Sequence, residues 1–207
     1  MNAHIERLVT AGNVDPGGPP VHENNVWFVG DDRQVIVVDP AHDADAVARA
    51  VGGRRVVATL LTHGHWDHVR AVLDFAKLVG GPVFLHPADV ELWRQSHDDA
   101  GFEPIGDGQV FDVAGVSLEA RHTPGHTPGS TSFVAAGLGA VFTGDTLFEG
   151  GPGATRWDYS SFPGIIESIR TRLLTLPADT VVNTGHGPST TIGAEAPHLG
   201  EWVARGW

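Results

Sequence analysis

The chain reads as an α/β protein, and three observations carry that reading. Apolar runs of strand length recur throughout, among them Val26-Trp27-Phe28-Val29, Val35-Ile36-Val37-Val38, Val56-Val57-Ala58-Thr59-Leu60-Leu61 and Ala140-Val141-Phe142-Thr143. Between them lie segments with apolar residues at helical spacing, such as Val69, Val72, Leu73, Ala76 and Val79. The order of strands first and helices interleaved then occurs twice, which suggests two sheets packed face to face with helices outside. Periodicity alone leaves a doubly wound sheet as the other architecture.

The elements follow in order. Ile5 to Thr10 is expected as a first strand, followed by a Gly/Pro-rich loop from Asp15 to Pro20. Val26–Val29 and Val35–Val38 flank Gly30-Asp31-Asp32-Arg33, a hairpin signal. Asp43 to Val51 reads as a short helix, with Asp43 or His42 near its start and Gly52-Gly53 ending it. The strand at Val56–Leu61 precedes a helix from about Asp67 to Val79, stopped by Gly80-Gly81-Pro82. Val83–Leu85 is a short strand, and Pro87 opens a helix over Ala88–Gln95. Strands are expected near Gln109–Val113, Val116–Arg121, Thr131–Ala135 and Ala140–Thr143. A helix over Gly164–Leu176, a strand at Thr180–Asn183 and a terminal helix around Ile192–Ala204 complete the chain. No linker or low-complexity stretch interrupts it, so one domain spanning residues 1–207 is expected, long enough for a sizeable core.

Composition narrows the function. There are no cysteines, which excludes disulfides, thiolate ligands and a cysteine nucleophile, and fits a cytoplasmic protein. No apolar run of about 18 residues appears, so no membrane span is expected, and the N-terminus carries no basic-then-apolar secretory signal. The net charge is −12, with Lys77 the single lysine and no basic stripe, so a nucleic-acid partner is not expected.

The chemistry is concentrated at strand ends. Thr62-His63-Gly64-His65-Trp66-Asp67-His68 gathers three imidazoles and a carboxylate directly after a buried-strand pattern. Neutral imidazole with carboxylate suits zinc, iron or manganese. Three more apolar or alternating runs end in Gly- or Pro-bearing turns with His or Asp at the tip: Thr123-Pro124-Gly125-His126, Thr143-Gly144-Asp145 and Thr184-Gly185-His186. A single ion needs three or four protein ligands, and seven candidates fit two ions sharing one carboxylate.

These four segments, in order from about Val35 to about Thr191, resemble the metallo-β-lactamase-fold hydrolases, and within them the glyoxalase II-like thioesterases. The resemblance implies an αββα sandwich of two mixed sheets with helices outside. It implies that His63, His65 and His126 hold a first metal, that Asp67, His68 and His186 hold a second, and that Asp145 bridges them. His122, four residues before His126, competes for the ligand role, and the resemblance assigns it to His126 and leaves His122 behind the ligands or structural. Two departures stand out: Val69-Arg70-Ala71 follows Asp67-His68 where the family often has a glycine pair, and the chain ends soon after His186, where glyoxalase II proper carries a glutathione-gripping helical extension. The N-terminal half also resembles actinobacterial members thought to hydrolyse S-formylmycothiol, and the lysine-poor, Ala/Gly/Val/Arg-rich composition agrees with that subgroup.

The expected chemistry is thioester hydrolysis with a hydroxide bridging two divalent ions, most simply zinc, with Asp67 orienting it and handling its proton. Trp66 and Phe148 adjoin ligands and are candidate substrate contacts. Arg156 is a third, although an ion pair between Arg156 and Asp158 that braces their loop is the favoured reading. His4, His22, His42, His86, His97 and His198 are expected to be surface, capping or core-polar residues. The competing activities are a persulfide dioxygenase using one iron held by two histidines and an aspartate, and a lactonase of the same fold. A metal-binding scaffold with a dead site is the weakest reading, because all the matching ligand positions are filled.

Overall fold

A computed structural model describes residues 3–13 and 22–206. The Gly/Pro-rich loop expected at Asp15–Pro20 lies outside the described residues. Two six-stranded mixed sheets dominate. The first runs β1 (His4–Gly12), β2 (His22–Gly30), β3 (Gln34–Val38), β4 (Arg55–Leu60), β5 (Val83–Leu85) and β6 (Glu103–Pro104), in that spatial order. Its first three strands pair antiparallel and the rest parallel.

The second half contributes β7 (Val110–Val113), β8 (Val116–His122), β9 (Thr131–Ala135) and β10 (Ala140–Gly144). A two-stranded ribbon of β11 (Leu147–Phe148) and β12 (Gly151–Pro152) follows, then β13 (Val181–Thr184) and β14 (Thr190–Thr191). The second sheet is ordered β14-β13-β10-β9-β8-β7, and its one parallel pair is β10 with β13. That crossover is made by the helical segment Phe162–Leu173.

Alternation along the strands builds the layers. Inward-facing Trp27, Val29, Ile36, Val38 and Leu60 of the first sheet meet Phe111, Leu118, Ala120, Phe133 and Phe142 of the second. The opposite face of β2 and β3 (Val26, Phe28, Val35, Val37) packs on Val47 and Val51 of helix α1 (Ala44–Val51) and on Phe75. On the far side, Val134, Val141 and Val182 pack on Ile165, Ile169, Leu173 and Trp202. The expected αββα sandwich is therefore present.

Several boundaries differ, each for a local reason. The single helix expected over Asp67–Val79 is two, α2 (Trp66–Val69) and α3 (Val72–Val79). The carbonyl of Val69, which a continuous helix would bond internally, instead accepts from His97 Nε2 at 2.7 Å. Arg70 lies over the Trp66 ring at 4.4 Å and donates to the Asn13 carbonyl. Pro87 opens a 3₁₀ turn at Pro87–Asp89 that leads into α4 (Val90–His97).

The helix expected from Gly164 begins earlier, as α5 (Phe162–Ser168), because Ser161 accepts from Gly164 N. It then widens into a π turn at Ile169–Leu173. The terminal helix is interrupted at Pro197, leaving α6 (Ile192–Glu195) and α7 (Leu199–Arg205) joined by a 3₁₀ turn. The strand expected at Val26–Val29 starts four residues earlier, at His22, because it pairs along the whole of β1; the other expected strands are present within a residue or two, and α1 starts as anticipated, with Asp43 capping Ala46 N.

Trp27 locks the sheets together. It is buried on β2, meets Phe142 of the facing sheet edge-on at 5.9 Å, and donates from Nε1 to the Thr184 carbonyl at the end of β13. Replacing Trp27 by Ala should cost about 3–5 kcal/mol of stability through cavity and lost contact. Trp27→Phe, which loses the hydrogen bond and part of the volume, should cost less. Urea denaturation monitored by circular dichroism measures both, and a loss below about 1 kcal/mol for Trp27→Ala would mean the sheets are held elsewhere.

Candidate metal centre

Four strand ends converge on one edge of the sandwich. β4 leads into the turn that carries His63 and His65, and α2 then presents Asp67 and His68 in its single turn. The β8–β9 connection carries His126, β10 ends one residue before Asp145, and β13 ends two residues before His186. Gly144 takes φ 50 where a Cβ would strike the Thr62 side chain. A Cβ at Gly185 would meet Asp145 Oδ1 and the His68 ring. At these two positions glycine is what allows the turns to close on one another.

The predicted ligands come together in two sets. His65 Nδ1 lies 3.1 Å from His63 Nε2 and 3.0 Å from His126 Nε2. His186 Nε2 lies 3.2 Å from His68 Nε2 and 3.3 Å from Asp67 Oδ2. Asp145 reaches both: its Oδ2 is 3.6 Å from His126 Nε2 and 3.4 Å from His186 Nε2, and its Oδ1 is 3.4 Å from His68 Nε2. Within His63/His65/His126, and again within Asp67/His68/His186, the donor atoms all lie within 4.8 Å of one another.

The far side of every imidazole is engaged. His126 Nδ1 donates to the Ala154 carbonyl at 2.8 Å and His186 Nδ1 to the Glu23 carbonyl at 2.6 Å. His68 Nδ1 is 2.9 Å from Asp39 Oδ2, His63 Nδ1 is 3.0 Å from Thr62 Oγ1, and His65 Nε2 is 2.8 Å from the Tyr159 hydroxyl. A carbonyl can only accept, so His126 and His186 must carry their protons on Nδ1, and in the neutral ring Nε2 offers a lone pair inward. Asp145 Oδ1 is buried and, among the described residues, makes no hydrogen bond, with His68 Nε2 3.4 Å away. Inward lone pairs and an orphaned carboxylate oxygen are what a cation would satisfy, so the residues fit divalent metal ions.

The two sets differ electrically. Burial lowers the pKa of His65 to about 3 and pushes His63 and His126 below the usual histidine value, so this set is neutral at pH 7. Burial acts the same way on His68 and His186, but their carboxylate neighbours outweigh it. Asp67, Asp145 and Asp39 raise His68 well above its ordinary value, and Asp145 and Asp67 raise His186 to about 10. Burial would raise Asp67 and Asp145, yet His68 and His186 hold both below the usual carboxylate range.

Residues outside the motifs hold the cluster. Asp39, 2% exposed, accepts from Thr62 N, Thr62 Oγ1 and His68 Nδ1. Asp89, fully buried, accepts from Gly64 N, Gly129 N and Thr127 Oγ1, tying the His63–His65 turn to the His126 turn. Asn24 donates from Nδ2 to Asp67 Oδ2 at 3.2 Å, and its Oδ1 is 2.7 Å from His42 Nε2. Asp39 had a legible signal, since it ends an apolar strand just as Asp145 does. Asp89, Asn24 and Tyr159 had none.

A cleft of about 500 Å³ opens over the cluster, with His65, Asp67, His126, Asp145 and His186 on its floor. Trp66, Phe148 and Arg156 line it, joined by His22, Leu92, Gln95, Trp157 and Tyr159. The ion pair expected between Arg156 and Asp158 is not formed. Arg156 instead lies over the Trp157 ring at 4.9 Å, because the aromatic side chain between the two residues offers the cation a face at the cleft wall. His122 is structural: its Nε2 donates to the Pro128 carbonyl, and its ring stacks on His86 at 4.1 Å. Of the remaining histidines, His4 and His198 meet acidic neighbours at the surface, and His86 accepts from Ala88 N. His22 meets Trp66 edge-on at the cleft.

Comparison with known proteins agrees with this architecture. Hydroxyacylglutathione hydrolase GloC of Haemophilus influenzae is 31% identical over 195 residues, covering 82% of this chain and 87% of that protein. The probable metallo-hydrolase YqgX of Bacillus subtilis is 34% identical, covering 87% and 92%. Among solved structures, TTHA1623 in a di-iron-bound form superimposes with a TM-score of 0.76 at 30% identity, over 91% of this chain and 97% of that one. Residues 19–186 match the family described as the metallo-beta-lactamase superfamily, and the chain belongs to it.

Proposed function

We propose that the protein hydrolyses a thioester of a small thiol at a two-ion centre. His63, His65 and His126 form the first ion site, Asp67, His68 and His186 the second, and Asp145 is shared. The observation that carries this reading is the second set: a complete second group of ligand atoms beside the first, joined to it by one carboxylate. Two bound ions would supply Lewis acidity at the carbonyl and lower the pKa of water towards roughly 7. The GloC relative's name, hydroxyacylglutathione hydrolase, supports thioester chemistry, and the di-iron form of TTHA1623 supports a pair of ions.

The chain's own residues supply the remaining work. Asp67 stays ionised and is held from behind by Asn24, which is itself held by His42. Burial lowers His42 to about 4, so at neutral pH it is an uncharged donor to Asn24 Oδ1 and adds no competing charge near Asp67. This chain of bonds fixes the carboxylate so that it can orient the attacking water and take its proton. Trp66, Phe148 and Trp157 wall the cleft for the carbon skeleton of the substrate, and Arg156 offers a cation to an acidic or polar tail. The thiol is of the mycothiol or glutathione type.

Metal analysis with an assay panel tests the function. Two divalent ions per chain and hydrolysis of acyl-mycothiol or acyl-glutathione are expected, the preferred thiol defining the subgroup. One iron per chain with oxygen uptake, or turnover confined to lactones, would overturn it. Asp67→Ala should remain folded and lose turnover by about 10²–10⁴-fold; wild-type hydrolysis in a folded, metal-loaded variant would remove Asp67 from catalysis.

The electrical asymmetry gives a separate test. The first-site histidines are already neutral at pH 7 and release no protons to an ion. Neighbouring carboxylates hold both His68 and His186 towards their protonated forms, so the second-site ion must displace protons, and its affinity should rise as pH is raised above 7. Calorimetric titration in buffers of different ionisation enthalpy should show proton release at the second site alone.

A further inference from the structure

His65 differs from the other clustered imidazoles. It presents Nδ1 to the centre, whereas His63, His68, His126 and His186 present Nε2. Its outward nitrogen is therefore Nε2, at the tip of the ring, which reaches past the backbone into the cleft wall. The group that meets it there is the Tyr159 hydroxyl at 2.8 Å. A lone pair on Nδ1 requires the ring proton on Nε2, so the phenol oxygen must accept.

We propose that Tyr159 is the positioning residue of the first ion site, fixing the orientation and tautomer of His65 through this hydrogen bond. The proposal rests on the two-ion reading above. The hydroxyl is well placed for the role because its ring is held. Tyr159 lies parallel to Trp157, 6.0 Å between centroids and 6° between planes. Trp157 in turn packs on His65 at 4.6 Å and meets His126 edge-on at 5.3 Å.

The same segment, residues 154–160, supplies the Ala154 carbonyl to His126 Nδ1, and Ser160 Oγ donates to the His126 carbonyl. It thus holds two of the three histidines of the first site. The second site depends on other parts of the chain, with Asp39 behind His68 and the Glu23 carbonyl behind His186. Loss of the phenol hydroxyl should therefore act on one ion and spare its neighbour, which a general loosening of the fold would not do.

The test compares wild type, Tyr159→Phe and His65→Ala as metal-free proteins titrated with zinc against a competing chelator. Tyr159 is partly exposed and Phe keeps the ring, so the variant should melt with wild type. Its first-site affinity should fall about 10–100-fold with second-site affinity unchanged. In the metal-free protein, the nitrogen chemical shifts of the His65 ring should lose their preference for the Nε2–H tautomer. Equal first-site affinity and an unchanged tautomer in Tyr159→Phe overturn the proposal. Equal weakening at both sites also overturns it, because the effect would then be structural. If wild type binds fewer than two ions, or His65→Ala keeps both, the two-ion reading itself fails, a result separate from any failure of Tyr159.

Discussion

The turn Thr62–Gly64 is clamped between two buried carboxylates, and the placement of His63 and His65 follows from that clamp. Asp39 takes the amide and hydroxyl of Thr62 from one side, and Asp89 takes the amide of Gly64 from the other. The Thr62 carbonyl accepts from Thr131 N at the start of β9, so the turn also bonds to the opposite sheet. Removing either carboxylate would leave buried donors unpaired, at a cost of about 1–3 kcal/mol each. The clamp thus tolerates little movement, and that rigidity brings imidazole nitrogens to within 3.0–3.1 Å of one another without dispersing them.

Such crowding has to be balanced in charge. His68 is fully buried among Asp39, Asp67 and Asp145, and a neutral ring there would remove the cation that faces all three carboxylates. The cluster answers this internally, with cations on His68 and His186 facing anions on Asp67 and Asp145. In the other histidine set burial outweighs the attraction of Asp145 and Asp67, and the rings remain neutral. One edge of the sandwich therefore holds a neutral histidine set beside a set of paired charges, with His63 and His68 in ring contact at 4.1 Å and Asp145 reaching both sets.

What the sequence made legible were features with a local cause. A strand ending in a glycine turn needs only the apolar run and the small residue to be recognised, and all four such turns lie at the cluster. The helix over residues 67–79 was misjudged because its break is caused by His97, 28 residues further along, which captures the Val69 carbonyl. Asp89 was hidden for a similar reason. It looks like a helix-start carboxylate, and only the tertiary fold brings Gly64 and Gly129 to it. The resemblance suggests an Arg156–Asp158 pair, but the ring between them takes the cation instead.

The division of the cluster between the two sheets has a consequence for assembly. The first sheet and α2 provide His63, His65, Asp67 and His68, whereas the second sheet provides His126, Asp145 and His186. Neither half alone forms a complete set of inward-facing lone pairs. Anything held at the seam therefore adds its binding free energy to the docking of the halves, in proportion to RT ln(1 + [L]/Kd). An occupied seam would therefore tie the stability of each half to that of the other.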